Sequence, residues 1–159
     1  WMSDIFNLSD ALEMMLSLGE VLGVTESAKV LHEEISNRFS SIAFRRKPLK
    51  ALYLIWQKPF MLAGKNTFID DMLERAGFEN AVQQERYPSM SVEELQALNP
   101  DVVLLSSEPY PFGDKHIAAF QQLLPGTKVQ VVDGELFSWY GSRLLHAPAY
   151  FDNLYQQIS

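Results

Sequence analysis

The stretch LKALYLIWQKPFMLAGKNTFIDDML, residues 49–73, decides the fold. Residues 51–55 form a continuous apolar run, which is typical of a strand covered on both faces. Trp56 and Phe60 follow in a loop, and residues 67–76 then have the spacing of an amphipathic helix. A buried strand followed by a helix predicts one unit of an α/β fold, with the aromatic loop at the carboxyl end of its strand.

The rest of the chain after Pro48 repeats this alternation of strand and helix. Ser91 followed by Glu94 at the third helical position resembles a capping box. The further predicted elements are strands at 80–82, 102–105 and 128–132, helices at 91–98 and 116–124, and a last helix to Ile158 that starts at Tyr140, Ser142 or Ala147. Such alternation implies parallel strands with right-handed crossovers. We therefore predict that residues 48–159 form a three-layer αβα lobe with a mainly parallel central sheet.

Residues 1–47 are predicted to be a long amphipathic helical segment that precedes this lobe. Apolar side chains recur at three- and four-residue steps, first around Leu12 and Met15 and then from Ala28 to Ile42. Gly23 interrupts the pattern. The segment is either one long helix or two pieces broken near 23–25.

Composition narrows the class of protein. The net charge of -7 argues against a nucleic-acid-binding protein, which usually carries a basic face. No apolar run approaches the ~20 residues needed to span a bilayer. The absence of cysteine excludes thiol catalysis, disulfides and thiolate metal sites. Trp1 stands where an initiator Met is expected, and no leader follows it, so we expect a chain from which any signal peptide has been removed or in which none existed.

Aromatic side chains gather in the segments that follow the predicted strands. Because the carboxyl ends of parallel strands meet at one edge of a sheet, where α/β proteins bind ligands, we expect these rings to line one face. Such a face suits a large, flat, partly apolar ligand. The alternative is that several of these rings only cover the core. The eight residues are Trp56, Phe60, Tyr87, Tyr110, Phe112, Phe137, Trp139 and Tyr140.

Motifs of catalysis are missing. Gly64-Lys65 does not complete a phosphate-binding loop, because Pro59 stands where the first glycine belongs and Asn66 replaces the Ser or Thr. The three histidines lie far apart, without the spacing of a metal site. Ser142 lies outside a nucleophile elbow. We predict a protein that is not an enzyme and has neither a catalytic metal nor a cofactor.

Three segments, 52–81, 87–109 and 132–150, resemble a known family: LYLIWQKPFMLAGKNTFIDDMLERAGFENA, YPSMSVEELQALNPDVVLLSSEP and VDGELFSWYGSRLLHAPAY. They are similar to the carboxyl-terminal lobe of the substrate-binding proteins of ABC importers for cobalamin, haem and ferric siderophores, and most similar to the cobalamin branch. The segment from Leu8 to Arg45 resembles the long helix that joins the two lobes in that class.

The resemblance implies a non-catalytic periplasmic protein that binds cobalamin or another metal chelate between two lobes. It places Trp56, Phe60 and the segment 137–139 at the ligand. Tyr87, Tyr110 and Phe112 are further ligand candidates because of their position after predicted strands. It also implies that acidic residues dock on an ABC permease in the membrane. The candidates for docking are Glu93, Glu94, Glu108 and Glu135.

The resemblance leaves the amino-terminal lobe of that family without a counterpart in this sequence. We therefore expect the chain to pair with that missing lobe or with a second copy of itself as a homodimer. A ferric siderophore or haem is the alternative ligand, since Lys58, Arg86 and Arg143 near the predicted face suit anionic chelates. A structural or interaction domain that has lost transport is the other alternative.

Overall fold

A six-stranded sheet organises the residues that the structure, a computed structural model, describes, which are 4–42 and 47–159. The strands are β1 (Leu49–Trp56), β2 (Phe60–Leu62), β3 (Phe78–Asn80), β4 (Ser89–Met90), β5 (Val102–Ser106) and β6 (Lys128–Val132). The helices are α1 (Leu8–Val21), α2 (Thr25–Ser40), α3 (Phe68–Arg75), α4 (Val92–Ala97), α5 (Asp114–Leu123), α6 (Gly134–Ser138) and α7 (Ala147–Ile158). A 3-10 turn, Ser142–Leu145, precedes α7.

The sheet is mainly parallel, as the alternation of strands and helices predicts. Its order is β4-β2-β1-β5-β6, and β3 pairs with the beginning of β1. The pairs of β1 with β3, β1 with β5 and β5 with β6 are parallel. The two short strands β2 and β4 add an antiparallel edge that was not predicted, because two or three residues carry no recognisable period.

Helices cover both faces of the sheet, which confirms the three-layer αβα architecture. Successive side chains of β1 point to opposite faces. Tyr53 faces a core that is completed by α1, α2, α3, α6 and α7, where its ring meets Phe137 at a centroid distance of 5.1 Å. Leu52 and Leu54 face a second core, which α4 and α5 complete with residues such as Phe120.

The amino-terminal segment is two helices and not one long rod. The first helix ends at Val21 and the second begins at Thr25. A Cβ atom built on Gly19 would lie 2.3 Å from the Cβ of Ala28, so the two helices pack closely against each other. The Leu8 N–H donates to Asp71 Oδ2 of α3 at 2.9 Å, which ties the start of α1 to the lobe.

The end of α2 is tied to the lobe as well. Arg38 Nη1 donates to the Leu145 carbonyl at 2.9 Å, and the Phe39 ring contacts Phe151. Both outer ends of the helix pair therefore contact the lobe. The predicted boundary after residue 47 lies next to residues 43–46, which are outside the described residues. Arg45, the predicted end of the helical segment, is among them.

Local interactions explain where β3 ends and where α7 starts. Strand β3 ends at Asn80, two residues earlier than predicted, because the Asn80 side chain turns the chain by bonding Ala63 O, Asp70 Oδ1 and the Val82 N–H. Helix α7 starts at Ala147, one of the predicted alternatives. Pro148 then lies in its first turn, where a missing N–H breaks no helical hydrogen bond.

The predicted capping box at α4 is present. Ser91 Oγ accepts from the Glu94 N–H at 3.3 Å, and Glu94 Oε2 accepts from the Ser91 N–H at 2.7 Å. Replacing Ser91 by alanine is expected to lower the free energy of unfolding by about 1 kcal/mol, measured by urea denaturation, because one helical N–H loses its acceptor. Ser91→Asp is the control and should keep the stability of the parent. Equal losses in both variants would contradict a capping role.

Candidate functional site

The segments that follow four strands meet at one edge of the sheet, where the carboxyl ends of β1, β5 and β6 lie. Strands β1, β3, β5 and β6 run parallel, so the segments that leave them emerge on the same side. Segment 81–88 after β3 reaches this edge by running alongside Gly64 and Lys65, whose N–H groups donate to Arg86 O and Gln84 O, both at 2.8 Å. The segments that carry the aromatic residues therefore emerge at one edge, but their rings lie over both faces of the sheet and not on the single face that was predicted.

A cavity of about 350 Å³ lies at this edge, and we call it the edge cavity. Two exposed aromatic rings flank it: Trp139 is 50% exposed and Tyr87 is 43% exposed. Ile55 at the end of β1 and Ile69 on α3 add apolar surface. The full lining is Ile55, Ile69, Tyr87, Ser106, Glu108, Pro109, Ser138 and Trp139.

A second aromatic group lies at the same edge but over the other face of the sheet. Trp56, 39% exposed, contacts Tyr110 at a centroid distance of 5.3 Å, and Tyr110 contacts Phe112 at 4.6 Å. The Tyr110 hydroxyl donates to Gln57 Oε1 at 2.7 Å, which fixes this ring. Because Ile55 and Trp56 are neighbours in a strand, only Ile55 lines the edge cavity.

Three of the predicted ligand residues offer little surface or none. Phe137 is fully buried on α6, between Tyr53 and Phe151, and so belongs to the core and not to a ligand wall. Phe112 is 5% exposed and packs in the second core. Phe60 is half-buried against Phe120. The alternative that some rings cover the core is correct for Phe137 and Phe112.

The predicted face therefore reduces to three exposed rings beside the edge cavity and one pair across the sheet. Tyr140 is exposed and contacts Phe68 at a centroid distance of 5.1 Å. It follows Trp139 directly, and the two line a shallow depression next to the edge cavity. The aromatic group at the cavity thus consists of Tyr87, Trp139 and Tyr140.

A buried hydrogen-bond chain supports the floor of the edge cavity. The Tyr53 hydroxyl donates to Ser106 Oγ at 3.1 Å, and Ser106 Oγ donates to the Glu108 carbonyl at 2.5 Å. Burial raises the pKa of Tyr53, so its hydroxyl remains a neutral donor at physiological pH. These hydrogen bonds hold the segment after β5 against the core, which sets the position of the Glu108 side chain.

Burial also raises the pKa of Tyr87, although the neighbouring Arg86 lowers it in part. Tyr87 therefore presents a protonated phenol beside the edge cavity, with an apolar ring and one polar head. An aromatic pair with a hydroxyl suits a ligand that has flat apolar faces and a polar rim.

The four acidic residues predicted to dock on a permease are in different environments. Glu93 and Glu94 are exposed at the start of α4, and Glu94 takes part in the capping box. Glu135 is half-buried and accepts from Arg143 Nη2 at 2.5 Å. Glu108 is half-buried in the wall of the edge cavity.

Glu108 therefore lines the edge cavity, whereas the sequence analysis named it as a candidate for docking on a permease. The rule that selected the aromatic residues, position just after a strand, also applies to Glu108, which follows β5 by two residues. Ile55, Ile69 and Ser138 were missed because apolar and small side chains at strand and helix ends carry no mark of function in the sequence.

A larger cavity, about 660 Å³, lies at the opposite end of the sheet. Its lining includes Phe78 and Asn80 of β3, which pairs with the beginning of β1. Ile42 and Pro48 also line it, so it borders residues 43–46.

Within residues 4–42 and 47–159, no three acidic, histidine or cysteine side chains are grouped as metal ligands. No helix in the described part of the chain is long and apolar enough to cross a membrane.

The fold is an α/β lobe with an aromatic cavity at the carboxyl edge of its sheet. A family model for periplasmic binding proteins matches residues 4–124, and the chain belongs to that family. This membership fits the prediction of a solute-binding protein. No curated protein sequence matches the chain.

Solved structures share the fold over nearly the whole chain. The periplasmic haem-binding protein RhuT from Roseiflexus sp. RS-1 has a TM-score of 0.79 at 20% identity, covering 98% of this chain and 64% of that one. The vitamin B12-binding protein BtuF of Vibrio cholerae has 0.74 at 15%, covering 99% and 65%. A periplasmic haem-binding protein from Pseudomonas aeruginosa has 0.72 at 26%, covering 96% and 61%. The chain spans less than two thirds of the length of these relatives.

Proposed function

We propose that this chain is the second lobe of a periplasmic binding protein for a metal chelate, with cobalamin as the first candidate and haem or a ferric siderophore as alternatives. The observation that carries the proposal is the edge cavity. There, Tyr87 and Trp139 remain 43% and 50% exposed beside a concave surface, and the neighbouring Tyr140 is exposed as well. Exposed rings around a concave site are typical of ligand contact.

The size of the edge cavity favours a ligand that extends beyond it. At about 350 Å³ the cavity is at the small end of ligand pockets, so it would accommodate only part of a large chelate. Tyr140 and the shallow depression beside Trp139 continue the aromatic surface outward. A broad, flat ligand can lie on this surface and insert one edge into the cavity.

A second surface would have to cover the other side of such a ligand. The family relatives are longer than this chain, and their remaining length could supply an amino-terminal lobe. The helix pair also exposes apolar side chains, with Val21 and Leu22 each 70% exposed and Val30 63% exposed. We propose that these side chains pack on that lobe, or on a second copy of the chain in a homodimer. A monomer in sedimentation at tens of micromolar would contradict the homodimer.

The protein that contains this lobe would deliver its ligand to an ABC permease in the membrane. Glu93, Glu94 and Glu135 are the candidates for docking on basic residues of that permease. They belong to elements that start at the carboxyl edge of the sheet, where α4 and α6 begin. The absence of chelate binding would instead support an interaction domain that has lost transport.

Replacing Trp139 by alanine is expected to weaken chelate binding about tenfold, because the half-exposed ring contributes contact area without serving the core. Isothermal titration with cyanocobalamin, haemin and a ferric hydroxamate measures the effect for each ligand class. Gln121→Ala, at an exposed position of α5, is the control and should leave these affinities unchanged. Binding of no chelate by the parent protein, or equal binding by Trp139→Ala, would contradict the proposed function.

A further inference from the structure

Glu108 is the acidic group in the lining of the edge cavity. Its Oε1 atom is buried and accepts no hydrogen bond from the described residues. Its backbone carbonyl is held by Ser106 Oγ, and its Cγ packs so close to Gly134 that a Cβ there would lie 2.9 Å away. The carboxyl group is therefore placed by its surroundings, although none of them satisfies that oxygen. A buried acceptor without a donor is costly, so its retention needs a reason.

The cations near Glu108 are engaged elsewhere. Arg143 packs at the turn that contains Gly134, but its Nη2 bonds Glu135 Oε2 at 2.5 Å and Asp133 Oδ2 at 3.3 Å. Its Nε is buried without an acceptor, and so it does not bond Glu108 either. Arg86, next to Tyr87, lies over the Phe6 ring at 5.3 Å and donates to Asn66 O. Neither arginine forms an ion pair with Glu108 in the part of the chain that the structure describes, which leaves an acidic group at an aromatic cavity.

We propose that Glu108 selects the ligand, favouring a chelate whose edge carries hydrogen-bond donors over one whose edge carries carboxylates. This inference rests on the function proposed above. Glu108 lines the edge cavity, and an ionised carboxylate accepts hydrogen bonds and donates none, so it attracts a ligand amide in the cavity and repels a ligand carboxylate. The rim of a corrin ring carries amides, whereas the rim of haem carries two propionates. Glu108 thus favours the corrinoid class.

Matched ligands that differ in one group test this selection. Cyanocobalamin is compared with the isomeric monocarboxylic acids that form when one propionamide is hydrolysed, and haemin with its bis-amide. We expect the parent protein to bind cyanocobalamin about tenfold tighter than at least one of its monocarboxylic acids. It should likewise bind the bis-amide about tenfold tighter than haemin. In Glu108→Gln this ratio should fall to about twofold, as measured by isothermal titration, because Gln can both donate and accept.

Glu74→Gln is the matched control, since it removes the same charge from an exposed residue in the last turn of α3, which leads to the opposite end of the sheet. It should keep the parent ratio. The thermal midpoint of Glu108→Gln should stay within about 3 °C of the parent, since that buried oxygen makes no bond in the fold. A larger drop would assign Glu108 a structural role and overturn the inference.

The outcomes separate the two proposals. If the parent binds a chelate but the amide-to-acid ratio is the same in parent and Glu108→Gln, the selection by Glu108 is wrong while the proposed function stands. If the parent binds none of the chelates, the proposed function fails and the inference fails with it.

Discussion

Gly64→Ala is expected to destabilise the protein by about 3 kcal/mol or more, the largest loss we expect from any single methyl group. A Cβ at this position would lie 2.1 Å from the Gln84 carbonyl oxygen and 3.2 Å from the Arg86 carbonyl oxygen. Both are backbone atoms that accept hydrogen bonds from Lys65 and Gly64 themselves. Relief of the clash therefore requires one segment to move, and the hydrogen bonds between the two segments would break.

Urea denaturation measures this loss, and Gly141→Ala is the control. Gly141 is exposed, has nothing within 4 Å of a built Cβ and has an extended backbone with φ of -126°, so its replacement should change stability by less than about 1 kcal/mol. Segment 84–86 leads into Tyr87, and its displacement should also weaken chelate binding. If Gly64→Ala were as stable as Gly141→Ala, the close pairing of these two segments would be wrong.

Gly134→Ala is expected to cost about 2 to 3 kcal/mol and to lower chelate affinity at least about tenfold. The new Cβ would lie 2.3 Å from Ser106 Oγ and 2.9 Å from Glu108 Cγ. Ser106 cannot simply rotate away, because its hydroxyl links Tyr53 to the Glu108 backbone. The substitution must break this buried chain or separate the segments after β5 and β6, and either change displaces Glu108 in the edge cavity.

A double-mutant cycle identifies the cause. Ser106→Ala alone should lose about 1 to 3 kcal/mol, since it removes the hydroxyl between Tyr53 and Glu108. In Gly134→Ala/Ser106→Ala the closest clash is absent, so the combined loss should be smaller than the sum of the single losses by more than about 1 kcal/mol. Additive losses, measured by urea denaturation, would show that the contact between Gly134 and Ser106 does not limit this packing.

Both glycines allow the close packing of segments that position the candidate site. Gly64 lets segment 84–88 lie against the chain after β2, which brings Tyr87 to the carboxyl edge. Gly134 lets the turn after β6 approach the end of β5, which brings α6 and Trp139 beside Glu108. We therefore expect substitutions at these positions to change stability and binding together, whereas Trp139→Ala should change binding alone.

Residue order along the chain was enough to locate the parallel strands β1, β5 and β6, the cap at Ser91 and the edge where the aromatic segments converge. These features follow from local physics. A continuous apolar run needs cover on both faces, a cap bonds within three residues, and parallel strands place their carboxyl ends together. The same reasoning predicted a three-layer lobe without any knowledge of side-chain contacts.

Tertiary packing set the direction in which each side chain at that edge points. Phe137 became core because α6 turns it toward Tyr53 and Phe151, while Trp139, two residues later, stayed at the cavity. Glu108 entered the cavity lining because the Ser106 hydroxyl and Gly134 hold its segment there. Such outcomes depend on partners distant in sequence, and the spacing of residues along a strand or loop carries no information about them.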